Sequence, residues 1–260
     1  MKTFRFILCI LLLSVSLFPV SSPAQRGAMG SRPLPSLYNN LRVYWNLDET
    51  SGDRVASFEA GAASLTLTDN NTVPSAGGRL GRAADFNGTN EFLSIADTPA
   101  LSIGVTQFSL CFWINRDDDP VGDEIPLAKW DAAGGNREYL VNTWTNGVST
   151  RIEVAVRNSA NTTSTFATLD AGLVPGNWYF VHAFADGTNV GISVNLGAPA
   201  TTAFTSVVRD GTAQFRLGSQ SDGVNFFDGK VDMVTLIVGR VATSAELTYL
   251  YNSADGRAPL

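Results

Sequence analysis

The sequence predicts an all-β fold, a two-sheet antiparallel jelly-roll sandwich with one short C-terminal helix. Short apolar runs recur between residues 65 and 217, and Gly, Asn, Asp and Pro separate them. Asn146-Gly147, Asp186-Gly187 and Asp210-Gly211 are predicted to be tight hairpin turns. The 260 residues show no internal repeat, and the length suits a single all-β domain.

The stretch from Phe226 to Tyr251 predicts the closing strand and the helix. Val231 to Val238 is apolar on both faces except at Asp232, which is typical of a strand that is covered on both sides. Asp228-Gly229 reads as a turn before this strand. Thr243 and Glu246 have the spacing of a capping box, and the apolar residues that follow lie on one helical face.

The N-terminus has the pattern of a secretory signal peptide. Lys2 and Arg5 precede an apolar run that extends to Phe18, and small residues end at Ala24. We therefore expect a signal peptide at 1–24, a linker at 25–40 and the domain at 41–260. The protein should be secreted, with no membrane span once the signal is removed. The alternative is an uncleaved anchor, for which the run is short.

Composition excludes several functions. The net charge is −6 and no basic cluster exists, which argues against nucleic-acid binding. Cys9 leaves with the signal peptide, so Cys111 has no partner and is expected to be a buried, inert thiol. Zinc sites need several His or Cys ligands, which the remaining chain lacks.

The sequence offers no catalytic constellation, and we expect no enzyme activity. The dense acidic run, Asp117 to Glu124, contains Pro120 and Gly122 and therefore reads as a loop. Glycoside hydrolysis needs paired carboxylates presented to one cleft, which no strand here offers at even spacing. His182 is the single histidine and lies in an apolar strand, so packing is its expected role.

Aromatic side chains are candidates for glycan binding, since their faces stack on sugar rings. Trp130, Tyr139, Trp144 and Trp178 are available, whereas Trp45 and Trp113 are expected to belong to the core. A tryptophan in a strand belongs to the core more often than to a binding platform.

Five segments in order resemble laminin G-like domains of the concanavalin A-like lectin/glucanase superfamily, to which pentraxins are related. They read YWNLDETSG at 44–52, GRLGRAADFNG at 78–88, FSLCFWI at 108–114, GNWYFVH at 176–182 and FDGKVDMV at 227–234. The resemblance spans roughly residues 41–252. It implies a jelly roll, and it leaves function open because this fold carries lectins, adhesins, enzymes and structural modules.

The resemblance also implies where calcium would bind. A carboxylate on the last long strand can hold a structural ion, and Asp232 stands there with Asp48 and Gly81 as the corresponding neighbours. A lone carboxylate amid apolar residues is costly unless it finds a partner. Hydrogen bonds to the backbone, or an arginine such as Arg82 or Arg42, are the alternatives to calcium.

A second, ligand-binding calcium site of the pentraxin type would draw on two loops. Asn136 and Glu138 fall near the first loop, and Gln220 and Asp222 fall near the second. Gln220 stands where that family usually has a carboxylate, which is a departure from the pattern. With Trp130 and Trp144, these residues form the predicted ligand-binding set.

The function expected from these observations is secreted, non-enzymatic recognition of a glycan or another extracellular macromolecule. A structural or adhesive protein–protein module without a sugar site is the alternative, followed by a glycoside hydrolase. An exposed aromatic residue beside polar side chains on a sheet face would favour the glycan. Two carboxylates facing one cleft would favour the hydrolase.

Overall fold

The computed structural model describes residues 34–61 and 64–259. The predicted signal peptide at 1–24, and the part of the linker before residue 34, lie outside the described residues. Across the part of the chain that is described, no helix is long and apolar enough to cross a membrane.

Within the described residues, sixteen strands and one α-helix follow a short 3₁₀ turn at Pro35–Tyr38. The strands are β1 Leu41–Trp45, β2 Phe58–Glu59, β3 Thr68–Asn70, β4 Ser75–Gly77, β5 Arg82–Asn87, β6 Phe92–Ile95, β7 Gln107–Arg116, β8 Glu124–Asp131, β9 Asn136–Thr145, β10 Thr150–Arg157, β11 Ser164–Asp170, β12 Trp178–Asp186, β13 Asn189–Val194, β14 Ala200–Ala203, β15 Phe215–Leu217 and β16 Asp228–Val238. The helix α1 is Ser244–Tyr251, and a 3₁₀ turn at Asn252–Ala254 follows it.

The strands form two antiparallel sheets. The nine-stranded sheet has the order β14-β13-β12-β7-β16-β1-β2, with β5 also paired to β16 and β4 paired to β5. The seven-stranded sheet has the order β11-β10-β9-β8-β15-β6-β3. This architecture confirms the predicted all-β sandwich with one short helix, and β1 does pair with β16.

The main core lies between the sheets and draws apolar side chains from both. Trp45 on β1 stacks on Phe215 of β15, with 5.4 Å between ring centroids. Phe112 on β7 and Val141 on β9 are fully buried in the same cluster. Burial of this kind contributes about 25 cal/mol per Å² of apolar surface removed from water, so this layer is the main source of stability.

A second apolar cluster lies on the other face of the nine-stranded sheet, under α1. Trp113 stacks on Tyr251 of the helix, and Cys111 is buried beside them, as expected. The predicted capping box is present: the Thr243 hydroxyl accepts from the Glu246 amide, and the Glu246 carboxylate accepts from the Thr243 amide. Both the helix and its start are therefore confirmed.

The alternation predicted for Val231–Val238 is interrupted by a β-bulge. Asp232 is opposite Trp113 and Thr235 is opposite Cys111, so β16 has one more residue than β7 in this interval. Met233 has φ of 51°, and its side chain packs in the cluster under the helix. Asp232 and Met233 therefore both leave the main core.

Three sequence-based expectations differ from the structure. Asp228-Gly229 does not form a turn but begins β16, where Gly229 lies close to the Asn115 carbonyl. Asp210-Gly211 joins no hairpin, because it lies in the connection between β14 and β15. Leu37, in the stretch expected to be a linker, is buried in the cluster under α1.

Candidate functional site

A groove of about 580 Å³ lies on the outer face of the seven-stranded sheet. Strands β8 to β11 form its floor, and the loop after β15 contributes Gln220 and Asn225. The volume is within the range of small-molecule and oligosaccharide-sized sites, about 300–1,000 Å³. Trp130, Trp144 and Gln220, three of the predicted ligand-binding residues, line this groove.

The groove floor consists of cross-strand rows that follow from strand register. One row is Leu140, Ala155 and Phe166 on β9, β10 and β11. The next row is Asn142, Glu153 and Thr168, and the third is Trp144, Arg151 and Asp170. These residues alternate with core residues along each strand, so the outward face combines aromatic, apolar and polar groups.

The aromatic residues of the groove differ in how far they are buried. Trp130 is 5% exposed and packs with Ile125 and Leu140. Arg137 lies over the Trp130 ring at 5.8 Å, and Arg151 lies over the Trp144 ring at 5.0 Å. Phe166 is 45% exposed although it is a large hydrophobic residue. An aromatic face left open beside polar side chains suits contact with the apolar face of a sugar ring.

Polar side chains line the groove beside the apolar row of Leu140, Ala155 and Phe166. Asn142 donates to the Asp123 carboxylate at 2.9 Å, and its Oδ1 is buried with no partner in the described structure. Glu153 accepts from the Thr168 hydroxyl. Burial raises the pKa of Glu153 above its ordinary value, and the charge of Asp123 adds to this. Amide and carboxylate side chains of this kind can exchange hydrogen bonds with sugar hydroxyl groups.

The remaining predicted ligand residues have internal roles. Asn136 exchanges hydrogen bonds with Thr212 at 2.8 and 3.1 Å. Glu138 is 0% exposed, and its oxygens contact Lys129, Ile103 and the Gly211 amide. The Glu138 side chain thus does not reach the surface, which differs from the sequence prediction of ligand contact.

The second predicted loop is also tied internally. Gln220 is buried, and its side-chain oxygen accepts from Asn225 at 3.0 Å. Asp222 accepts from the Ala133 amide at 3.1 Å, so it anchors the β8–β9 hairpin. The structure therefore does not bring the four loop residues together as one metal site, and the described residues contain no group of three or more His, Cys, Asp or Glu side chains placed for a metal.

Asp232 lies in a separate, fully buried position on the helix side of the nine-stranded sheet. Its Oδ2 accepts from the amides of Arg79 and Leu80 at 2.7 and 3.1 Å. Its Oδ1 is buried without a partner among the described residues. Burial raises the pKa of Asp232 to about 7, against the effect of these hydrogen bonds. A buried acceptor with no donor is costly, so this oxygen is available to a cation.

Asp48 is hydrogen-bonded to the other end of the turn at residues 78–82. It accepts from the Arg82 amide at 2.7 Å and from the Asn46 side chain at 2.8 Å. Gly81 has φ of 72°, and a side chain there would collide with Asp48 Oδ1. Two carboxylates thus converge on the 78–82 turn, where a hard cation that prefers oxygen ligands would fit the unpaired Oδ1. The groups present are therefore compatible with calcium.

Other residues considered from the sequence are used structurally. His182 is buried, and its Nε2 is 2.9 Å from the Ser109 hydroxyl. Burial lowers the pKa of His182 to about 4, so the ring is neutral at physiological pH. Asp117 contacts Lys230, and Asp119 contacts Arg116 at 3.1 Å. Trp45, Trp113 and Tyr139 are core residues.

Sequence reasoning missed the central residues of the groove. Phe166, Asn142, Glu153 and Asp123 were not predicted, although all four line it. The available signal was the outward set of positions on β9, β10 and β11, which alternates with the core set. That signal becomes readable only when strand register shows which residues are neighbours.

A family model described as the concanavalin A-like lectin/glucanases superfamily matches residues 87–248. This match covers more than half of the chain and includes all of β8 to β11. No curated protein is similar enough in sequence to be matched.

Solved structures share the fold at low sequence identity. Domain 4 of AbnA, a GH43 extracellular arabinanase from Geobacillus stearothermophilus solved with arabinotriose, has a TM-score of 0.58 and 18% identity, over 80% of this chain and 97% of that one. The botulinum neurotoxin serotype G binding domain has a TM-score of 0.63 and 12% identity, over 83% and 51%. The binding domain of Paraclostridial Mosquitocidal Protein 1 has a TM-score of 0.62 and 12% identity, over 83% and 52%. This chain thus spans about half of each toxin domain.

Proposed function

Because the chain belongs to the concanavalin A-like lectin/glucanase superfamily, we propose that it is a secreted, non-enzymatic recognition module that binds a glycan in the groove of the seven-stranded sheet. The observation that carries this proposal is that the exposed Phe166 and the half-buried Trp144 line one groove together with the polar side chains of Asn142 and Glu153. Aromatic faces with nearby polar side chains match both parts of a sugar, its apolar ring face and its hydroxyl groups.

The comparisons support this reading at the level of fold and ligand class. AbnA domain 4, which is covered almost completely, was solved with a bound trisaccharide. Both toxin domains are described as binding domains. Secretion is part of the proposal and rests on the sequence pattern of residues 1–24.

A protein–protein module without a sugar site is the competing interpretation. Such interfaces generally offer a broader apolar core than a narrow groove with charged residues in its floor. Here the exposed aromatic residue lies beside Asn142, Glu153 and Arg151 on one sheet face. This arrangement is the one expected for the glycan alternative.

A glycan array followed by tryptophan fluorescence titration with neutral oligosaccharides, including arabinotriose, tests the proposal. Phe166→Ala and Trp144→Ala should each weaken binding by about tenfold, which corresponds to ~1.4 kcal/mol. Tyr38→Ala is the matched control, since Tyr38 is 40% exposed and does not line the groove but contacts Phe58, which packs against the cluster under α1. Binding that is equal in all three variants, or absent from every glycan, contradicts the proposal.

One observation favours a second candidate function, glycoside hydrolysis. Asp123 and Glu153 both line the groove and flank Asn142. Paired carboxylates on one cleft are what hydrolysis requires, and burial raises the pKa of Glu153 in the direction suited to a general acid. Release of reducing ends from a bound glycan, abolished by Glu153→Gln, would assign this function instead.

We also propose that calcium binds at Asp232, with Asp48 and the Gly81 carbonyl as further oxygen ligands. The unpaired, fully buried Oδ1 of Asp232 supports this proposal. Such an ion would stabilise the turn at residues 78–82 and the start of β5. Its role would be structural, because the turn is on the opposite sheet from the groove.

A further inference from the structure

Three arginine side chains converge at one end of the groove, and they form what we call the arginine cluster: Arg137, Arg157 and Arg209. Arg137 is on β9, Arg157 ends β10, and Arg209 follows β14. The Arg209 amide donates to the Arg157 carbonyl at 2.8 Å, and its guanidinium donates to the carbonyls of Gly135 and Arg137, each at 3.4 Å. These contacts bring three chain segments to one place.

The guanidinium groups are fixed by neutral partners. Arg157 donates to Asn161 Oδ1 at 3.0 Å, to the Asn161 carbonyl at 2.6 Å and to the Ser164 hydroxyl at 2.9 Å. Asn161 in turn donates to the Gly135 carbonyl, which also accepts from Arg209. The arginine side chains are therefore held in place without a ligand, which reduces the side-chain conformational entropy that would be lost on binding.

No carboxylate neutralises this cluster within the described structure. The ion pairs found among the described residues all involve other arginines or lysines, and the three arginines of the cluster are half-buried. Desolvation and the charges of Arg137 and Arg209 lower the pKa of Arg157. An arginine remains charged at any physiological pH, so three like charges face one another here. An anion would relieve this repulsion.

The cluster is continuous with the groove. Arg137 lines it and lies over the Trp130 ring, and Ser164, which Arg157 holds, lines it as well. Along β10, Arg157 is four residues from Glu153, or about 13 Å at the rise of a strand. The apolar row at Ala155 separates them. From the arginine cluster, the groove thus passes first to the apolar row at Ala155 and then to the polar row that contains Glu153.

We propose that the arginine cluster binds the anionic group of an acidic glycan, a carboxylate or a sulfate ester, while the adjoining sugar ring contacts the exposed Phe166, two residues from Ser164 on β11. This inference rests on the proposed function and names the substrate class of the same groove. A planar guanidinium can donate two parallel hydrogen bonds to either anion, which gives orientation as well as affinity. The net charge of −6 keeps this attraction local and disfavours polyanions that need a broad basic surface.

The test compares three oligosaccharide probes of equal length by calorimetry and tryptophan fluorescence. Hyaluronan oligosaccharides carry carboxylates only, and chondroitin sulfate oligosaccharides carry both carboxylates and sulfate esters. Carboxyl-reduced hyaluronan of the same length is the neutral control. The intact chain after signal removal should bind an acidic probe at least tenfold more tightly than the neutral one. This preference should decrease with added salt.

Variants of the arginine cluster test whether these side chains cause the preference for the acidic probes over the neutral one. Arg157→Gln and Arg209→Gln should each remove most of it, while Arg157→Lys keeps the charge and should retain part of it. Arg257→Gln is the control, since Arg257 lies over Tyr249 near the C-terminus. Thermal melting checks that each variant is folded.

Each outcome separates this inference from the proposed function. Equal binding of the acidic and reduced probes, or an acidic preference that persists in both glutamine variants, overturns the inference and leaves glycan binding in place. Loss of the preference in both glutamine variants, with the Arg257→Gln protein unchanged, supports the inference. Failure of every neutral and acidic glycan to bind overturns the proposed function itself.

Discussion

Replacement of Asp232 by asparagine removes one charge and almost no volume from the most completely buried carboxylate on β16. In the parent, Asp232 Oδ2 accepts from two backbone amides, while Oδ1 has no partner in the described structure. The asparagine oxygen can keep both amides, and its NH₂ would take the place of the unpaired oxygen. The variant therefore tests the charge and leaves the packing intact.

The pH dependence follows from the raised pKa of Asp232. Without metal, the folded protein keeps the Asp232 proton up to about pH 7, whereas the unfolded chain releases it near 3.8. The stability from this group is complete below pH ~4 and is lost as the pH rises toward 7. The interval of about three pH units, at ~1.4 kcal/mol each, makes the loss ~4 kcal/mol. For a domain of this size that corresponds to roughly 10 °C in Tm.

Calcium should reverse this loss by holding the carboxylate in its charged form. At one hundred times its Kd, an ion that binds only the folded state adds ~2.7 kcal/mol. We expect the parent at pH 8 to melt several degrees higher in calcium than in EGTA, and Asp232→Asn to melt at one temperature in both. In EGTA the asparagine variant should be at least as stable as the parent.

Differential scanning calorimetry of both proteins from pH 4 to pH 8, with calcium and with EGTA, checks these expectations. Asp210→Asn, at an exposed aspartate, is the control for a change in net charge. A parent that melts identically in calcium and EGTA at pH 8 contradicts the metal proposal. A parent whose stability in EGTA is flat across this range contradicts the argument that Asp232 is an underpaired buried acid.

Two further predictions concern stability and are measured by urea unfolding. Lys129→Ala should lower the free energy of unfolding by about 3–5 kcal/mol, because it leaves Glu138 buried and unpaired. Lys230→Ala, which breaks partly exposed pairs with Asp85 and Asp117, should cost less than about 1 kcal/mol; equal costs would contradict the burial argument. Gly229→Ala should be far more damaging than Gly147→Ala, since both glycines have positive φ but only Gly229 has a backbone carbonyl in the path of a Cβ. Similar losses of unfolding free energy in the two glycine variants would refute this steric argument.

The fold was predictable because its signals are local and repeated. Each signal determines the local structure of only a few residues. Examples are the alternating apolar residues of the strands, the capping box at Thr243 and the Asp186-Gly187 turn between β12 and β13. The bulge at Asp232–Met233 was not predictable, since it depends on the register between β16 and β7. The hairpin predicted at Asp210-Gly211 was wrong for a similar reason. Gly211 lies close to Asn136 and Glu138, where a side chain would collide, and it does not form a hairpin turn.

The sequence predicted residues of the candidate site only where the residue type alone indicates ligand binding. Trp130 and Trp144 were selected because tryptophan is a common sugar platform, and both line the groove. Phe166 was missed because its neighbours in sequence are small and polar, whereas its neighbours across the sheet are Ala155 and Leu140. Glu138 was selected for its loop position, yet Lys129, 9 residues away, draws it into the interior.

The same long-range pairing explains why one module can separate stability from recognition. The carboxylate at Asp232 belongs to the nine-stranded sheet and the turn at 78–82, whereas the groove belongs to β8–β11 of the other sheet. The two sheets share the main core but no polar network that joins these sites among the described contacts. Calcium should therefore change melting temperature without changing glycan affinity, as long as the protein is folded. The residues proposed to contact a ligand lie on outward positions, so substitutions there should leave the inward positions that form the core of the sandwich intact.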